Sequence, residues 1–170
     1  MACQFYVGGP LPPETTISAS HDQSDRLIDA WNSVLSLAAD SGEVMLVLNE
    51  QQLTSYLSVR LSQDDRPLLD QPQVFLRDGE IRVYGIAALG PFEAGTLLSI
   101  QPILDSEGRI AFEVTSAEFG PLPAPKSLME GLSELLTEAF TGKLGSLATG
   151  IRITSLAIAE GQVAIAGTLR

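Results

Sequence analysis

Between Val74 and Phe119 the sequence alternates at every second residue and is broken by short polar turns, and this narrows the fold more than any other feature. Four segments carry the period of a strand: Val74–Arg77, Glu80–Leu89, Phe92–Leu104 and Arg109–Phe119. Their joints are Asp78-Gly79, Gly90-Pro91 and Asp105-Ser106-Glu107-Gly108. Asp and Gly accept the backbone angles that tight reversals need. Joints this short leave no room for a crossover, so neighbouring strands run antiparallel, as a meander. The second strand poses a question. Ile81, Val83, Gly85, Ala87 and Leu89 make one face apolar, while the other begins at Arg82 and Tyr84 and turns apolar at Ile86 and Ala88. A sheet with one wet face alternates more cleanly, so both faces of this one must be covered. Gly85, inside the segment, marks a bend, a bulge or the close approach of another backbone.

Helical periods flank the meander. A first helix is expected from a cap at Ser20 or Asp22, with Leu27, Trp31, Val34, Leu35 and Ala38 at helical spacing and Asp40-Ser41-Gly42 as its stop. Glu43–Leu48, EVMLVL, reads as a buried strand. Asn49, with Gln52 three residues on, is a capping box for a second helix that places Leu53, Tyr56, Leu57, Arg60 and Leu61 on one side. A third, over Lys126–Phe140, sets Leu128, Leu132, Leu135, Leu136 and Ala139 in a stripe opposite Glu130, Glu134 and Glu138. Two closing strands, Ile151–Ala159 and Gln162–Leu169, hinge at Glu160-Gly161. Residues 1–20, with VGGPLPPETTISAS, cannot sustain a helix and read as a flexible arm or tether. Residues 21–170 then form one α+β domain, a curved antiparallel sheet packed on amphipathic helices.

Composition limits the function. The formal net charge of −11 repels phosphate backbones and gives no attraction to anionic head groups, so nucleic acid is excluded and any lipid contact must rest on apolar burial. One cysteine, Cys3, and one histidine, His21, make neither an internal disulfide nor a metal set. His21 belongs to a solvated helix start, and Cys3 has no neighbouring base to activate it. The carboxylate pairs Asp64/Asp65, Asp105/Glu107 and Glu113/Glu118 are better explained by turns and wet strand faces than by acid–base work. The Gly-bearing stretch TGKLGS has neither Walker spacing nor a strand leading into it. A non-enzymatic protein without cofactor or metal is therefore expected. No run reaches the roughly 18 apolar residues of a membrane span.

The segments VMLVLNEQQLTSYLSVRL, DGEIRVYG, QPILDSEGRIAFEVTSAEFGPLPAP, LMEGLSELL and ITSLAIAEGQVAIAG, in that order, resemble the YpmS-like and LmeA-like group of bacterial envelope proteins, which are uncharacterised or lipid-binding. The resemblance covers about residues 43–169 and rests on turn, cap and helix patterns. It implies an extracytoplasmic protein held at a membrane by an N-terminal span or lipid, with a sheet curved around a long helix as in tubular lipid-binding domains. If the native chain is longer, Ala2-Cys3 would end a lipobox, with Cys3 lipidated and residues 4–20 as spacer. An apolar groove between sheet and helices would then take an acyl chain or another apolar molecule, lined by Leu53, Leu57, Val83, Leu98, Ile100, Leu132 and Leu136. The same residues would equally form a packed core. The alternative function is a protein-interaction or scaffold module that uses an exposed apolar sheet face.

Overall fold

The computed structural model describes residues 5–65, 67–141 and 151–169. The described elements are β1 (Phe5–Tyr6), α1 (His21–Ser41), β2 (Glu43–Asn49), α2 (Glu50–Leu61), β3 (Asp70–Arg77), β4 (Glu80–Leu89), β5 (Phe92–Leu104), β6 (Ile110–Phe119), α3 (Lys126–Thr141), β7 (Ile151–Ala159) and β8 (Gln162–Leu169). The class is α+β, with antiparallel sheets packed on helices. The local signals act as expected. Ser20 caps α1 by accepting from the Gln23 amide, and Gly42 ends it in the left-handed conformation. Asn49 and Gln52 close a reciprocal capping box on α2. Asp78 (φ 54°) and Gly79 (φ 76°) both take the left-handed angles that a tight β3–β4 reversal needs.

The single long sheet expected from the period divides in two. The meander β3-β4-β5-β6 makes the larger sheet, with β1 added in parallel along β5, while β8 lies between β2 and β7 in a separate antiparallel sheet. Neither closes into a barrel. The reason lies in chain order: the closing hairpin meets β2, which precedes the meander, and pairs with it over Glu43–Asn49. The sheets meet at a seam without a shared ladder. There the Gly161 amide donates to the Leu76 carbonyl (3.1 Å) and the Ile153 amide to the Gly108 carbonyl (3.0 Å). Glu50 reinforces the seam, accepting from the Leu76 amide at 2.8 Å and pairing with Arg77.

The helices lie in a row, with α2 between α1 and α3; α1 packs on β2, α2 on β3 and α3 on β6. One continuous core joins all three to both sheets, from Leu27 and Trp31 through Leu53 and Leu57 to Leu132 and Leu136. Each such leucine contributes about 1.5–3 kcal/mol by leaving water. Gly85 marks a close approach: a Cβ there would strike the Leu69 side chain and lie 2.9 Å from the Asp70 carbonyl. The β4–β5 register runs unbroken past Gly85, and the irregularity lies on its other side, where β3 carries one extra residue between Asp70 and Gln73.

The chain's own arm crosses part of the second face of the large sheet, while Ala88 stays exposed. Pairing places Gln73 beside Tyr84 and Ile86 beside Gly95, all on the face away from the helices. Residues 5–6 run along the β5 edge, where the Val7 amide donates to Glu93 (2.8 Å) and the Gly95 amide donates to Gly8 (3.0 Å). The backbone then turns at Gly8 (φ 94°) and Gly9 (φ 129°) and passes over Gly95, whose missing Cβ would lie 2.7 Å from the Pro10 carbonyl. By Ile17 it has reached β3, where backbone N–H and C=O bond both ends of the Gln73 amide (2.6 and 3.1 Å). The segment expected as a tether is thus, over its described residues, a strap across the sheet. Under it Tyr84 is buried. Burial first, and Tyr6 second, push its phenol above the usual tyrosine range.

Candidate functional site

The seven residues assigned to an apolar groove do come together. Leu53 and Leu57 enter from α2, Val83 from β4, Leu98 and Ile100 from β5, and Leu132 and Leu136 from α3. Every one is 0% exposed. An enclosed space wide enough for a water molecule would leave accessible surface on its lining, so their side chains fill the region between sheet and helices. An acyl chain would have to separate α2 or α3 from the sheet to reach them.

The other candidates stay apart. His21 is the exposed first residue of α1, and Cys3 lies outside the described residues. Asp64 and Asp65 are exposed just beyond α2, and Glu113 and Glu118 are exposed on β6. Asp105 is occupied within its own turn: its carboxylate accepts from the Glu107 and Arg109 amides (2.9 Å each) and pairs with the Arg109 guanidinium at 2.7 Å. The Arg109 backbone bond, then the guanidinium, hold this carboxyl below the ordinary aspartate range. Among the described residues no group of three or more His, Cys, Asp or Glu side chains could hold a metal ion, and no helix is long and apolar enough to cross a membrane.

A different surface stands out. In the smaller sheet, Val44, Leu46 and Leu48 point into the core, while the alternate positions Met45 and Val47 point outward, 74% and 51% exposed. The register sets Met45 beside Ala166 and Val47 beside Ala164, and Ala164 beside Ala157 on β7. The middle of this outer face is therefore without charge and mostly apolar, with Ser155 beside Ala166 as its polar member. Its charged residues stand at the margins, with Glu43 and Arg152 at one end and Glu160 in the turn at the other. Side chains as short as alanine let another surface approach the backbone closely.

Sequence reading missed this face for an identifiable reason. EVMLVL is apolar throughout, which is the pattern of a strand buried on both sides. In the structure β2 is an edge strand buried on one side only. The available signal lay in β7 and β8, where LAIAEGQVAIAG alternates large apolar residues with alanine. Core positions take the bulk; the alanines mark the outward face. In comparisons with known proteins, no family model, no curated protein and no solved structure matches this chain.

Proposed function

We propose that this chain is a non-enzymatic binding module that docks another polypeptide on the outer face of β2-β8-β7. The observation that carries the reading is the uncharged Met45/Val47/Ala164/Ala166 surface on a chain whose net charge is −11. Exposed methionine and valine on a sheet face cost solubility, and a protein-docking role offsets that cost. The acidic remainder of the surface keeps the module from associating indiscriminately. Lipid binding in the interior would require opening the fully packed core, whereas this face is ready without rearrangement.

A photo-reactive residue at position 164, at the middle of the face, tests the assignment in cells that make the protein. Adducts are expected from position 164 and not from position 29, an exposed site on α1. Met45→Glu should reduce the adducts at least tenfold. Equal labelling from positions 164 and 29 would overturn the reading.

A further inference from the structure

The edge of the same sheet offers a second contact beside the docking face. Two hydrogen bonds bracket the β2–β8 ladder: the Leu169 amide donates to Gly42 (2.9 Å), and the Glu50 amide donates to Gly161 (3.3 Å). In an antiparallel pair, bonds placed this way flank residues that face each other without bonding directly. Glu43/Thr168 and Asn49/Gln162 are such pairs, and the alternation makes Met45/Ala166 and Val47/Ala164 the same. Val44, Leu46 and Leu48 therefore bond to β8. The backbone N–H and C=O groups of Glu43, Met45, Val47 and Asn49 point the other way, to an edge with which no described strand pairs.

Local side chains close the two ends of that edge. Ser41 Oγ accepts from the Glu43 amide (3.2 Å), and Gln52 Oε1 accepts from the Asn49 amide (3.0 Å). Among the described residues, what stays open is a window of two, Met45 and Val47. Edge strands are ordinarily blunted by lysine, proline or a bulge. Residues 44–48, VMLVL, contain no proline or charge, and the β2–β8 register runs without a break.

We infer that β2 pairs antiparallel with β2 of a second copy of this chain, about a two-fold axis at Leu46, joining two three-stranded sheets into one of six. The inference goes beyond the proposed docking role: the pairing uses the edge of the sheet and leaves the docking face open, extended across both copies. In this register Met45 of each copy faces Val47 of the other. Both residues present edge-directed backbone groups, so each pairing exchanges two hydrogen bonds and the two-fold makes four. The window is then fully satisfied, while one residue of slip in the pairing would leave part of it unbonded. Charge selects the same arrangement. Glu43 of one copy faces Asn49 of the other, and the two Glu43 carboxylates stand about 20 Å apart along the strands, beyond the screening length of about 8 Å at physiological salt. A parallel pairing would set them side by side. The outer faces meet edge to edge, making Met45 and Val47 of both copies one continuous apolar patch.

Sedimentation equilibrium of the purified chain over a hundredfold concentration range, with residue-resolved amide exchange at both ends of the range, tests this. A reversible dimer is expected, with at least tenfold slower exchange at the Met45 and Val47 amides in the concentrated sample. Val47→Pro should abolish the dimer and keep the fold, because the amide it removes bonds nothing among the described residues. Its circular dichroism should match the parent. A monomer at every concentration, or a dimer in which both amides exchange as fast as in the dilute sample, overturns the inference. A monomer whose position-164 probe still labels one defined protein in cells overturns it while leaving the docking role in place, so the two failures are distinguishable. The exchange readout decides the matter even if Val47→Pro does not fold.

Discussion

Leu57→Ala is expected to cost about 3–4 kcal/mol of folding stability, read as a lower denaturation midpoint in urea at an unchanged slope. Leu57 is 0% exposed on α2, in the same buried core as the other six residues once assigned to a groove. In a packed interior its removal leaves a cavity, and the lost contacts add to the lost transfer energy. In an open groove the same truncation would only widen an existing space and cost nearer 1 kcal/mol. Leu37→Ala is the control: Leu37 is 67% exposed on α1, and its truncation should change stability by less than about 0.5 kcal/mol. Similar values for the two variants would refute the closed core.

Gly9→Ala should release the strap. Gly9 has φ 129°, and a Cβ there would overlap the Gly95 carbonyl oxygen. The backbone at the crossing cannot retreat without breaking the Gly95–Gly8 bond. The clash costs about 1–3 kcal/mol, which the strap can relieve by lifting off. Cleavage between residues 10 and 16 by a nonspecific protease should then accelerate tenfold or more. Tyr84 supplies an independent readout, because it loses the cover that raises its pKa. The sign is fixed by the direction of that shift. A folded-state pKa above the unfolded value gives stability that is complete below about pH 10 and lost as pH rises through the folded value. The parent should therefore lose stability in alkali more steeply than Gly9→Ala, and Tyr84 should ionise later in it. Identical alkaline profiles would mean that the strap does not bury Tyr84.

What the sequence made legible follows the range of the forces involved. Caps, turns and periods are local, and Ser20, Asn49/Gln52, Asp78-Gly79 and the β7 and β8 boundaries could all be read from neighbours a few residues apart. Partner choice is not local. Nothing near Glu43 or Gln162 announces that β2 and β8 will pair across more than a hundred residues, so one long sheet was the simpler expectation. The two-sided apolarity of β4 was a correct clue whose answer lay in the segment least like a structural element: Gly8-Gly9-Pro10 packs because Gly95 leaves it room. The groove assignment found residues that do converge. Identity alone does not distinguish the wall of a cavity from its filling. Alternation in β2 was masked because both of its faces are apolar, and only burial separates Leu46 from Met45.

The measurement that bears most directly on the account is methyl-resolved NMR of the labelled chain, recorded along a concentration series and then with a medium-chain fatty acid. The Met45 and Val47 methyls are expected to shift with protein concentration, while those of Leu57, Leu98 and Leu132 stay fixed throughout. Shifts at Leu57, Leu98 and Leu132 on adding the fatty acid, with Met45 and Val47 unmoved in both series, would contradict it and put the binding site inside the domain.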